Sequence, residues 1–140
     1  MAFSLNIGFL RTILGILKII ECALIFIVLL IARFGGNNKN MVSWSSQNAT
    51  FLGIGSSVGY AIIVPAIILT YLLGSCPSLL EFIINLIGAI LFISMGATLV
   101  AHDGIRIVLG LLAIILGIVF LIDFGYLCKT RKFTVTQALK

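Results

Sequence analysis

Five residues in this chain carry chemistry that their surroundings do not explain. Lys18 and Glu21 stand three positions apart inside LGILKIIECALIFIV, residues 14–28. Glu81 and Asn85 open the run SLLEFIINLIGAILF, and Asp123 closes LLAIILGIVFLIDFGYL. Ionisable groups in such apolar surroundings are expensive to desolvate, so they mark either an interhelical contact or a path for ions or protons. On a helix, Lys18 and Glu21 fall on one face, one turn apart.

The elements that must position these residues follow from composition. Of the 140 residues, 61% are hydrophobic and 9% are charged, and the mean hydropathy is +1.30. A soluble domain carries about 25% charged residues. This chain has too little polar surface to clothe a globule of its size, and it reads as one domain in a bilayer. A hydrocarbon core of ~30 Å needs about 20 apolar residues per helix. Four segments meet that length, at about 9–32, 51–73, 79–100 and 105–127, followed by a basic tail over 128–140. Spanning segments must satisfy their own backbone polar groups, and these runs lack the alternation of barrel strands. The predicted fold is therefore an all-α membrane protein, an antiparallel bundle of four transmembrane helices. The run after Arg11 is too long for the core of a signal peptide and reads as a retained first span.

Short connections after the second and third segments make neighbours of helices two, three and four. The distribution of Lys and Arg, with Arg11, Lys129, Arg131, Lys132 and Lys140 at the two ends of the chain, favours cytosolic termini. Lys18 lies seven residues beyond Arg11, and Asp123 lies six before Lys129. At ~1.5 Å per residue both sit roughly 10 Å deep from the same side. Glu21 lies one turn deeper, and Glu81 starts its helix from that side. The five residues can therefore share a layer, with a Lys18–Asp123 pair between the first and last helices and Glu21 facing Lys18 or Asn85. The structural reading is a polar clamp between helices; the sharper one is a proton- or cation-coupled site, such as a small transporter would use. A self-neutralising Lys–acid pair favours the clamp.

Small residues suggest how the helices approach one another: Gly55 and Gly59 on helix two, Gly88 and Gly96 on helix three, Gly110 and Gly117 on helix four. Packing within the bundle is expected, with dimerisation as the alternative. Pro65 should kink helix two. Asn48-Ala49-Thr50 is an N-glycosylation sequon on the outer side. Trp44 in the first loop is either a membrane-surface anchor or a contact for a partner. Cys76 and Cys128 lie at the inner boundary as palmitoylation sites or plain thiols.

The exclusions are broad. Three dispersed cysteines give neither a disulfide framework nor a metal-ligand spacing, and a lone His102 beside Asp103 makes no catalytic constellation. The glycines of FLGIGSSVG lack the lysine of a phosphate-binding loop. The expectation is no enzyme, no metal, no cofactor and no nucleic-acid partner.

With these features placed, the chain resembles the MARVEL-type four-span membrane proteins. LRTILGILKIIE is similar to their first helix, CPSLLEFIINLIGAILFISMGATLVA to their third, and GLLAIILGIVFLIDFGYLCKTRK to their fourth. The segments RFGGNNKNMVSWSS and FLGIGSSVGYAII resemble the snakeskin-type proteins of arthropod smooth septate junctions. The first loop lacks the cysteine pair and tryptophan signature of claudins, which puts a paracellular pore in doubt. The resemblance implies a plasma-membrane protein that organises epithelial cell–cell junctions or membrane subdomains. Its partners would be the lipid bilayer and other junctional membrane proteins, with a homo-oligomer left open. An accessory subunit of a larger membrane complex is the remaining alternative.

Overall fold

A computed structural model describes residues 7–36, 46–74, 78–102 and 104–138, with side chains through Lys129 apart from Ser78. Trp44 and Cys76 lie outside the described residues. A short 3-10 turn, Ile7–Arg11, leads into α1 (Ile13–Phe34), α2 (Gln47–Leu72), α3 (Ser78–Val100) and α4 (Ile105–Ala138). All four helices are long and apolar enough to cross a membrane.

Local chemistry fixes the ends, and it moves two of them from the positions expected from hydropathy. α1 starts at Ile13 because Thr12 caps it, its hydroxyl accepting from the Gly15 amide and donating to the Phe9 carbonyl. Phe9 therefore belongs to the preceding turn. α2 starts before its apolar stretch, because the Ser46 hydroxyl accepts from the Ala49 amide. Gly74 follows the end of α2 and Gly104 immediately precedes α4, with φ of 84° and 75°, a region that L side chains rarely adopt. α2 runs through Pro65 as one element. α4 continues beyond the predicted end of its span, through the basic residues to Ala138.

Each helix buries one stripe. On α2 it is Gly53, Ser57, Tyr60, Val64, Ile67 and Tyr71, and on α1 it is Gly15, Lys18, Glu21, Ile25, Val28 and Ala32. Alternating steps of three and four residues keep a stripe facing one partner along a helix. The opposite faces are apolar and open, with Phe51 83%, Leu79 71% and Ile62 68% exposed, as lipid-facing surfaces should be.

α1 packs on α2 and α4, and α3 packs on the same two, so the helices close a ring. The α3–α4 contact is the most intimate. A Cβ at Gly96 would lie 2.6 Å from the Gly110 carbonyl oxygen, and one at Gly117 3.2 Å from the Ile93 amide nitrogen. As the chain ascends α3 its partners on α4 descend, which fixes the antiparallel sense. Gly88 makes room for the Tyr60 ring, 2.8 Å from where its Cβ would be. Gly55 and Gly59 differ from the expectation of packing inside the bundle: a Cβ at either would meet nothing within 4 Å. They lie away from the stripe formed by Ser57, Tyr60 and Val64.

Candidate functional site

The stripes of α1, α3 and α4 carry polar residues at one level, and the ring of helices turns them all inward. Lys18 is fully buried, and its ammonium gathers the cluster. Nζ lies 2.9 Å from Glu21 Oε2 on its own helix, 2.8 Å from Asn85 Oδ1 on α3 and 2.5 Å from Asp123 Oδ2 on α4. Glu81 Oε1 stands further off, at 3.4 Å. An ammonium has three hydrogens to donate. Three oxygens from three helices surround it closely, and Glu81 adds charge rather than a close contact.

Asn85 links the other members. It accepts from Lys18 and donates through Nδ2 to Asp123 Oδ2 at 3.0 Å. The sequence left Asn85 as a donor for Glu21; the structure aims it at Asp123. Glu81 accepts a hydrogen bond from the Tyr71 hydroxyl of α2, which brings the fourth helix into the network. Glu81 sits in the first turn of α3, where the free amides favour negative charge.

Aromatic rings close the cluster on both sides. Towards the chain's amino-terminal turn, Phe9 stacks on Tyr71 with centroids 4.3 Å apart and planes 5° from parallel. Towards the bundle centre, Tyr60 meets Phe92 and Phe120 edge-on at 5.4 and 5.3 Å. The Tyr60 hydroxyl donates to the Ile84 carbonyl, and Lys18 Nζ lies 5.9 Å from the centre of the Phe120 ring. Lys18, Glu21, Glu81, Asn85 and Asp123 are each 0% exposed.

The structure thus brings together all five polar residues singled out in the sequence. It adds Tyr71, Tyr60 and Phe9. Tyr60 and Tyr71 were not singled out in the sequence; as the two tyrosines of a largely apolar second span, their hydroxyl groups were the available signal. Phe9 gave no such signal, because its role depends on the turn that Thr12 and Gly15 create. A Cβ at Gly15 would run into the Phe9 carbonyl oxygen, so a glycine here lets the turn fold back on α1.

The remaining predicted positions lie away from the cluster. Asn48 is exposed in the first turn of α2, inside the helix rather than in a loop. Cys128 and Cys22 are free, half-buried thiols. Among the described residues no group of three His, Cys, Asp or Glu side chains could hold a metal ion.

Chemically, the cluster can hold charge and protons between helices. One feature departs from the expected neutral pair. Three of the four acidic residues in the chain converge on one lysine. Fully ionised, the group would carry two net negative charges at full burial. Compared with known proteins, the chain matches no family model, no curated sequence and no solved structure.

Proposed function

We propose that this chain is a non-enzymatic multi-pass membrane protein that organises cell–cell contacts or membrane subdomains, a MARVEL-type four-span protein of the snakeskin kind. The observation that carries this reading is the engagement of Lys18, Glu21, Tyr71, Glu81, Asn85 and Asp123 with one another, across all four helices, at full burial. Such a network supports a rigid body in the membrane rather than a reaction centre. The basic residues beside the first and last spans favour cytosolic termini, and a contact-organising role would place the protein in the plasma membrane. The apolar outer faces of the helices are available for lateral association with other junctional membrane proteins.

One observation favours a second reading, a small proton-coupled transporter: the carboxyl groups outnumber Lys18 three to one, so the lysine does not neutralise its surroundings. Tagged protein in a polarised epithelium separates the two. Concentration at cell contacts, with crosslinks to other junctional membrane proteins, is expected for an organiser. Even distribution, together with proton-linked flux in liposomes that Glu21→Gln abolishes, would transfer the conclusion to transport.

A further inference from the structure

The polar cluster lacks hydrogen-bond donors as well as positive charge. Glu21 Oε1, Glu81 Oε1 and Asp123 Oδ1 are buried, and no hydrogen-bond donor reaches them among the described residues. Lys18 has already engaged Glu21, Asn85 and Asp123. Tyr71 serves the other oxygen of Glu81, and the Asn85 amide serves the other oxygen of Asp123. Carboxylate oxygens buried without a donor from the protein are costly.

We propose that this cluster is a proton-binding site, holding two protons shared among Glu21, Glu81 and Asp123 around the Lys18 ammonium. Two protons remove the two excess negative charges. They also supply the missing donors, since a protonated carboxyl group gains an O–H to donate. Glu21, Glu81 and Asp123 all approach the one ammonium, at 2.9, 3.4 and 2.5 Å, so like charges are crowded together and ionising all three is disfavoured. A metal cation would fit poorly, because the ammonium already occupies the point on which the oxygens converge. The titratable groups facing the cluster are Lys18, Glu21 and Cys22 from α1, Tyr60 and Tyr71 from α2, Glu81 from α3 and Asp123 from α4. The protons belong to the group as a whole and not to one residue.

This inference goes beyond the proposed cellular role, and its test does not involve localisation. The wild-type protein, purified in detergent at pH 7, would be examined by infrared spectroscopy for the carbonyl stretch of protonated carboxyl groups. It would also be unfolded in sodium dodecyl sulfate in weak buffer containing an indicator dye. The bound protons should appear as a carboxylic-acid band and as release of about two protons per chain on unfolding. Asp123→Asn should release about one fewer. A wild-type protein with no carboxylic-acid band and no proton release would overturn the proposal, whether or not the variant folds.

Discussion

Lys18 of α1 and Asp123 of α4 meet at 2.5 Å with both side chains fully removed from the surface. The contact joins the first and last spans, which share no connecting loop, and so closes the ring of helices. Desolvating two ions costs several kcal/mol each, and the attraction repays this only where geometry and further hydrogen bonds are good. Asn85 supplies that support by bonding both partners. Such a pair sets register and partner choice more than it adds net stability.

Stability should fall as pH rises. If the folded cluster holds protons that the unfolded chain has released, the folded state binds more protons, and the slope of unfolding free energy with pH is negative. Below about pH 4, where free carboxyl groups are themselves protonated, this contribution is complete; above it, each extra proton costs about 1.4 kcal/mol per pH unit until the cluster deprotonates. Melting temperatures in detergent between pH 5 and pH 8 should therefore decline, and Glu21→Gln should flatten the decline. A rising profile would contradict the proton count.

The hydroxyl of Tyr71 on α2 donates to Glu81 on α3. Tyr71→Phe keeps the stack on Phe9 and removes that hydrogen bond. Leaving a buried acceptor unmatched costs about 1–3 kcal/mol. Unfolding in mixed micelles should register that loss, while helix content by circular dichroism stays unchanged. Tyr71→Phe at wild-type stability would mean that Glu81 is satisfied by other means.

Much of this site could be read before the structure. The depth of Lys18 and Asp123 followed from their distance to Arg11 and Lys129, and the antiparallel order put Glu81 at the same level. The stoichiometry was less legible. Spacing shows that Glu21 shares a face with Lys18, but a one-dimensional pattern does not show that three acids reach one nitrogen. That depends on how the α3 and α4 stripes rotate inward. Of the predicted glycine positions, Gly88, Gly96, Gly110 and Gly117 meet neighbouring helices closely, and the pair on α2 does not. Gly55 and Gly59 have the spacing of a packing motif, yet a spacing alone does not say which face of α2 looks inward. Burial of Ser57, Tyr60, Val64 and Ile67 in the folded bundle shows it.

That difference makes a paired test of packing. At Gly96 an added methyl would lie 2.5 Å from Ile114 Cγ1 and 2.6 Å from the Gly110 carbonyl oxygen, so backbone as well as side chain must move. Gly96→Ala should lose about 1–3 kcal/mol, as overpacked cores do. Gly59→Ala meets open space and should be unchanged or slightly more stable. Thermal unfolding of the two variants side by side checks the assignment. Equal effects would mean that the α3–α4 approach is looser than these contacts require.

Lys18→Met removes the only cation from the cluster and leaves Glu21, Glu81 and Asp123 together in an apolar interior. Breaking a buried ion pair from one side costs about 3–5 kcal/mol, because the remaining charge is left uncompensated. Here the uncompensated charge can be relieved by protons, so the variant should be weakest at alkaline pH and recover towards pH 5. A second substitution should also relieve it. In Lys18→Met with Asp123→Asn, the carboxyl closest to the missing ammonium becomes a neutral amide, and the double variant should be more stable than Lys18→Met alone. Contacting residues couple by about 0.5–3 kcal/mol in such cycles. Additive losses in the double-mutant cycle, measured by unfolding at pH 8, would show that Lys18 and Asp123 act independently and that the clamp between α1 and α4 lies elsewhere.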